Sequence, residues 1–92
     1  MTTQGKTQIT IINKLGLHAR AASKLVAMAN RYESRIILFK GAQQADAKNI
    51  MAVLLLAASK NTTLEITADG RDWEKALEEI TALINNRFGE AE

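Results

Sequence analysis

The segment Asn13-Lys14-Leu15-Gly16-Leu17-His18-Ala19-Arg20-Ala21-Ala22-Ser23-Lys24 marks a change in the periodicity of the chain. Residues 7–13, which lead into this segment, are rich in β-branched types. Their alternation places Ile9 and Ile11 on the inner face of a strand. Gly16 predicts a loop whose backbone geometry a side chain would resist. From residue 19 to residue 31 the apolar spacing becomes that of an amphipathic helix, with an inner stripe of Ala22, Leu25, Val26 and Ala29.

The remaining residues predict three more strands and two more helices. Strands are expected over residues 35–40, 43–47 and 62–68, the second of them polar and at an edge of the sheet. Asn49 is expected to cap a helix over residues 50–58. Asp72 is expected to cap a last helix that ends near Gly89, with an apolar stripe of Trp73, Ala76, Leu77, Ile80, Leu83 and Ile84.

The predicted order is therefore β-α-β-β-α-β-α. Residues 62–68 alternate between apolar and polar side chains, which is typical of an antiparallel strand with one face in water. The pattern favours an α+β fold, an open-faced sandwich whose helices all lie on one face of the sheet.

Length and composition indicate a single soluble domain over residues 1–92, with 47% hydrophobic residues. The polar residues 1–6 are expected to form a flexible tail and carry no secretory signal. The chain has no cysteine, which excludes disulfides and thiolate metal sites and fits a cytoplasmic location. Its longest apolar run is far shorter than the ~20 residues that span a bilayer, so no membrane insertion is expected.

Charge is distributed unevenly along the chain. Residues 1–60 contain nine Lys or Arg and two acidic residues, a net charge of +7, whereas residues 61–92 contain three and eight, a net charge of −5. A basic side that attracts acidic or phosphate-bearing partners is therefore expected.

His18 is the only histidine in the chain, and it stands where the first helix begins. A lone histidine is most often an ordinary surface or core residue, but unpaired backbone N–H groups and the helix dipole at this position favour a phosphoryl group. Arg20 is placed to add charge-assisted hydrogen bonds to such a group. Lys24 lies one turn further on, where a solvated side chain is the simpler interpretation. An imidazole is mostly neutral at neutral pH, which leaves a ring nitrogen free to attack phosphorus.

Other classes of function have weaker support. One histidine and scattered acids give no metal-ligand spacing, and neither a P-loop nor GxGxxG occurs, so no metal and no cofactor are expected. Any phosphoryl group must then come from another protein. A docking-only regulator remains an alternative, as does an enzyme that uses His18 as an acid–base catalyst without a visible second group. A nucleic-acid binder is a further alternative, but no aromatic residue lies within a basic cluster.

The apolar run over residues 50–58 exceeds what one buried helix stripe needs. Part of it is therefore expected to form an exposed docking patch, in which Met51 is well suited to adapt to several partners.

Two segments resemble a known family. Asn-Lys-Leu-Gly-Leu-His-Ala-Arg followed by Ala-Ala-Ser-Lys resembles the phosphorylation loop of the HPr phosphocarriers of the bacterial phosphoenolpyruvate-dependent phosphotransferase system. Residues 47–53 resemble the second helix and regulatory-site region of that family. The resemblance covers nearly the whole chain and implies an HPr-like open-faced β-sandwich, with a four-stranded antiparallel sheet and three helices on one face.

The resemblance also implies roles for individual residues. His18 would accept phosphate on its δ nitrogen from phosphorylated enzyme I and give it to enzyme IIA proteins, and Arg20 would stabilise the phosphoryl group. The protein would be a monomeric carrier rather than an enzyme. Val53 and Leu56 would face inward, and the partner-binding face would consist of Ile50, Met51 and Leu54, with a rim of Lys24, Ala27 and Lys48.

The chain departs from the family pattern at two positions. Ala21 stands where many members have proline, so the first helix is expected to survive with a looser start. Asn49 stands where many Gram-positive members have a phosphorylatable serine, and asparagine has no hydroxyl to accept phosphate. Loss of that serine also fits NPr, the nitrogen-branch relative, but the active-site loop favours general HPr.

Overall fold

The computed structural model describes residues 2–92. Its strands are β1 (Gln4–Thr10), β2 (Arg35–Lys40), β3 (Gln43–Asp46) and β4 (Thr63–Asp69), and its helices are α1 (Ala19–Ala29), α2 (Ile50–Leu55) and α3 (Trp73–Asn85), followed by a 3₁₀ turn (Arg87–Gly89). The strands form one antiparallel sheet in the order β1-β4-β2-β3. The predicted α+β class and the β-α-β-β-α-β-α order are confirmed.

The core lies between the sheet and the three helices. Leu64 and Ile66 of β4 are fully buried, whereas Glu65 and Thr67, which alternate with them, are partly exposed, as a sheet with one wet face requires. The helical stripes are confirmed as core-facing: most of their residues are buried, whereas Val26, Trp73 and Leu83 are partly buried against the core. Among residues 2–92, no helix has the length and apolar character needed to cross a membrane.

The N-terminal prediction was wrong for residues 4–6, which belong to β1 rather than to a flexible tail. Residues 4–6 pair with residues 67–69 of β4. The indole of Trp73 lies so close over Gly5 that a Cβ there would come within 2.2 Å of the ring, and its Nε1 donates to the carbonyl oxygen of Thr2. The sequence did not predict this part of β1 because polar residues at a strand start carry no periodicity signal. β1 also ends at Thr10, short of the predicted boundary at residue 13. Met1 lies outside the described residues.

α2 is shorter than the sequence predicted. Asn49 caps it as expected, since its side-chain oxygen accepts a hydrogen bond from the amide of Ala52 at 3.1 Å. The helix ends at Leu55 rather than at residue 58, and Ala57 adopts a positive φ of 49° just beyond it. Backbone direction therefore changes inside an apolar run that contains no glycine or proline.

Asp72 occupies the N-cap position of α3 but makes no capping hydrogen bond. Its carboxylate instead accepts hydrogen bonds from the amides of Glu33 and Ser34, each at 2.9 Å, and from the hydroxyl of Ser34. These donors, the Ser34 hydroxyl first among them, hold the pKa of Asp72 below its ordinary value. Asp72 thus ties the α1–β2 connection to the start of α3.

Candidate phosphorylation site and docking face

The loop before His18 is anchored to the segment that follows α2. The amide of Leu17 donates to the carbonyl oxygen of Ala58 at 2.8 Å. Gly16 has a positive φ of 66°, and a Cβ at this position would lie 2.5 Å from the same carbonyl oxygen. The loop geometry predicted from Gly16 is confirmed. Both the positive φ and the close approach of the Ala58 carbonyl oxygen disfavour a side chain at this position.

His18 is the N-cap residue of α1. Its backbone is extended, and its carbonyl oxygen accepts a hydrogen bond from the amide of Ala22 at 2.8 Å. The His18 side chain makes no capping bond, and the first turn contains no acidic residue. The first-turn amides therefore have no side-chain acceptor, which is the arrangement that favours an anion.

Helix α1 begins at Ala19, and Ala21 is fully buried in its first turn. The expectation that the helix survives without proline at residue 21 is confirmed. The expectation that the first turn of α1 is looser concerns its motion, and it stays a prediction.

A carboxylate from the C-terminal end of the chain reaches the imidazole. Oε2 of Glu90 lies 2.5 Å from Nε2 of His18, and Oε1 accepts a hydrogen bond from the side-chain amide of Asn13 at 3.0 Å. Two hydrogen bonds lower the pKa of Glu90: the one with His18 has the larger effect, and the one from Asn13 the smaller. Sequence reasoning missed Glu90, which follows a glycine in a polar tail.

The two predicted cations of the site differ in their surroundings. Arg20 is exposed and, within residues 2–92, takes part in no ion pair. Lys24 is also exposed, but its ammonium group donates to the carbonyl oxygen of Phe88 at 2.7 Å. A cavity of about 790 Å³ opens beside His18 and is lined by residues that include Lys14, Leu15, Arg20 and Glu90. Arg20 is thus the cation with an unengaged side chain next to the imidazole.

The predicted partner-binding residues do not all present an exposed surface. Met51 is 63% exposed and Ala27 is exposed, whereas Ile50 and Leu54 are partly buried against the core. Val53 and Leu56 are buried, which confirms their inward orientation. Leu55, which the sequence prediction omitted, is 74% exposed and lies one turn from Met51 on the same helix face.

Lys48 is half-buried, and its ammonium group donates to the carbonyl oxygen of Tyr32 at 2.7 Å. Its charge is therefore partly engaged within the protein.

The basic residues 1–60 and the acidic residues 61–92 are not fully separated in the fold. Glu90 lies against His18, and the carboxylate of Glu92 lies 3.6 Å from the ammonium group of Lys14. No group of three or more His, Cys, Asp or Glu within residues 2–92 is arranged to hold a metal ion.

Comparisons with known proteins agree with this geometry. The family model described as "PTS HPr component phosphorylation site" matches residues 6–86. The chain is 49% identical over 86 residues to the phosphocarrier protein HPr of Pseudomonas aeruginosa, an alignment that covers 92% of this chain and 96% of that protein. It is 38% identical over 89 residues to the phosphocarrier protein NPr of Shewanella violacea, covering 97% of this chain and 98% of that protein.

Solved structures give the same result. The crystal structure of HPr-C-His from Thermoanaerobacter tengcongensis matches with a TM-score of 0.93 and 35% identity, covering 96% of this chain and 99% of the other. The site geometry, the fold and the relatives converge, and the chain belongs to the HPr family of phosphocarrier proteins of the bacterial phosphotransferase system.

Proposed function

We propose that His18 is the phosphoryl acceptor, that it takes the group from phosphorylated enzyme I, and that it passes the group to enzyme IIA proteins. The observation that carries this proposal is the position of His18 at the uncapped N-terminus of α1, beside the unpaired Arg20. Helix N-termini of this kind bind phosphate through backbone N–H groups and the helix dipole.

In the proposed reaction, the lone pair of Nδ1 attacks the phosphorus atom of the donor. Arg20 and the amides of the first turn of α1 bind the phosphoryl oxygens and stabilise the charge that they carry in the transition state. The phosphoryl group is then transferred, unchanged, from His18 to the next protein. The chain thus acts as a carrier between enzymes and, in this proposal, needs no cofactor of its own.

Partner docking is assigned to the surface beside the site. The face comprises Ile50, Met51 and Leu54 with the rim residues Lys24, Ala27 and Lys48, and the exposure of Leu55 adds that residue to it. Apolar side chains surrounded by cations fit partners that present an apolar patch with an acidic border. We assign these roles to one HPr-like domain that works as a monomer in the cytoplasm.

A nitrogen-branch role, as in NPr, is the second candidate. The similarity to an NPr protein supports it at 38% identity, against 49% for an HPr protein. Asn49, which caps α2, has no hydroxyl for a serine-type kinase, so we expect no phosphorylation in residues 47–53 in either branch. A phosphate mapped to that segment would overturn this expectation.

The test is phosphoryl transfer with purified partners. The protein is mixed with phosphoenolpyruvate and either sugar-type or nitrogen-type enzyme I, and His18→Ala is treated in parallel. We expect an acid-labile adduct on the wild-type protein, faster with sugar-type enzyme I, and none on the variant. No adduct with either active enzyme I would refute the carrier function, and a faster reaction with nitrogen-type enzyme I would assign the protein to that branch. A docking-only regulator would bind partners without ever carrying phosphate.

A further inference from the structure

The carboxylate of Glu90 is fixed in place from several directions. Its side chain is 16% exposed, and Asn13, which is fully buried, donates both to Oε1 of Glu90 at 3.0 Å and to the carbonyl oxygen of Gly16 at 2.8 Å. Two residues earlier, Phe88 is buried in the core, and its carbonyl oxygen accepts the hydrogen bond from Lys24. The chain end that carries Glu90 is therefore attached both to the active-site loop and to α1.

Glu90 contacts one ring nitrogen of His18 and leaves the other unengaged. Nε2 lies 2.5 Å from Oε2 of Glu90, whereas Nδ1 has no hydrogen-bond partner within the described part of the chain, residues 2–92. A neutral imidazole has one N–H group and one lone pair, and an ionised carboxylate can only accept. The proton of neutral His18 must therefore lie on Nε2 for this hydrogen bond to form, which leaves the lone pair on Nδ1.

We propose that Glu90 is a positioning residue for phosphoryl transfer, which holds the proton of His18 on Nε2 and so directs the chemistry to Nδ1. This inference rests on the proposed function of His18. It assigns a role to the C-terminal end of the chain, which lies far from the active-site motif in sequence.

The same contact serves both half-reactions. In the first, the Nδ1 lone pair forms the N–P bond, the bond between phosphorus and the donor atom breaks, and its electron pair stays on the donor. The Nε2 proton is retained, so the ring becomes positively charged beside the carboxylate of Glu90, which stabilises it. In the second, the N–P bond breaks and its electron pair returns to Nδ1, so that His18 departs as neutral imidazole rather than as imidazolate.

Neighbouring cations offset the cost of a carboxylate beside an anionic substrate. Lys14 and Arg20 line the same cavity as Glu90, and Lys24 lies near enough to contribute to the lowered pKa of Glu90. Glu92, the other acid along this cavity, is directed to Lys14. The carboxylate therefore acts on Nε2 within a surrounding that is otherwise basic.

The test is ¹⁵N NMR of the His18 ring in the unphosphorylated full-length protein, recorded under conditions in which the ring is neutral. Glu90→Ala removes the acceptor, Glu90→Gln keeps an uncharged one, and Glu92→Gln is the matched control for loss of one C-terminal charge. Backbone amide spectra show whether each variant is folded. We expect Glu90→Ala to raise the ratio of the Nδ1–H to the Nε2–H tautomer by about tenfold or more, the effect of losing a charge-assisted hydrogen bond. Glu90→Gln should be intermediate and Glu92→Gln unchanged.

An unchanged tautomer ratio in a folded Glu90→Ala variant would overturn the inference, as would an equal shift in Glu92→Gln. Phosphoryl transfer from enzyme I is then measured on wild type and Glu90→Ala, and a loss of about tenfold in rate is expected. An equal rate in the two proteins would overturn the role of Glu90 alone. A wild-type protein that is never phosphorylated would instead refute the proposed function of His18.

Discussion

The amide of Leu17 donates a 2.8 Å hydrogen bond to the carbonyl oxygen of Ala58. This bond joins the loop that precedes His18 to the segment that follows α2. The imidazole and the exposed apolar side chains of α2 are consequently held in a fixed relation, which the proposed transfer between docked partners requires.

Gly16 makes that contact possible, and Gly16→Ala should destabilise the protein. A Cβ would lie 2.5 Å from the carbonyl oxygen of Ala58, in a backbone conformation that already disfavours side chains. Gly41→Ala is the matched control, because Gly41 has a similar positive φ of 57° but no neighbour within 4 Å. We expect Gly16→Ala to lower the free energy of unfolding by about 1–3 kcal/mol more than Gly41→Ala. Equal losses in urea denaturation would contradict the proposed packing.

Arg20→Ala should slow phosphoryl transfer without unfolding the protein. Loss of charge-assisted hydrogen bonds to the phosphoryl oxygens is worth about 1.5–3 kcal/mol, or roughly 10–100-fold in rate. Arg20→Lys should recover part of the rate, because it keeps the charge and loses the fork geometry. Arg31→Ala removes another exposed arginine just beyond α1 and should react like wild type. If Arg20→Ala and Arg31→Ala are equally fast, Arg20 has no part in transfer.

Met51→Ala and Leu55→Ala should weaken partner binding and leave the fold intact. Both side chains are more than 60% exposed, so we expect the free energy of unfolding to change by less than about 0.5 kcal/mol. Loss of a central contact in an interface costs more than about 1 kcal/mol, which would raise the KM for the protein as substrate of enzyme I. The exposed Glu74 of α3 provides the control variant Glu74→Ala. A fall in kcat at constant KM would argue against a docking role.

Asp72→Asn should change the pH dependence of stability. The pKa of Asp72 is lowered in the folded state from its ordinary value of 3.8, so its contribution is fully present above pH 3.8 and is lost as the pH falls through the folded-state pKa. The stability difference between wild type and Asp72→Asn should thus be constant near neutral pH and shrink below pH 3.8. Asp69→Asn, which removes an exposed carboxylate at the end of β4, is the control. A difference that does not depend on pH would contradict the assigned hydrogen bonds.

Local sequence patterns were sufficient for the order of elements, and they singled out His18 and Arg20 as the candidate site residues. The shift from alternating to helical spacing around Gly16 located the candidate site, because each pattern lies within one element. Capping by Asn49 was also predictable, since it depends on residues three positions apart.

Other features depend on contacts between distant parts of the chain. The chain that follows α3 brings Glu90 to His18, and no residue spacing in the sequence indicates this contact. Asp72 has the residue type of a cap, but donors from the α1–β2 connection compete for its carboxylate. Leu55 lies in a run that is apolar on all sides, so the sequence could not show which face is exposed. The excess of acids in residues 61–92 did not indicate the contact either, because of these acids only Glu90 and Glu92 line the cavity beside His18.

The most direct test of the account is to identify the phosphorylated atom. The protein, labelled with ¹⁵N in its histidine, is phosphorylated with enzyme I and phosphoenolpyruvate and examined by ³¹P and ¹⁵N NMR. We expect a single phosphorus signal coupled to Nδ1 of His18, with the proton retained on Nε2. Phosphorus bonded to Nε2, or to any other residue, would contradict it.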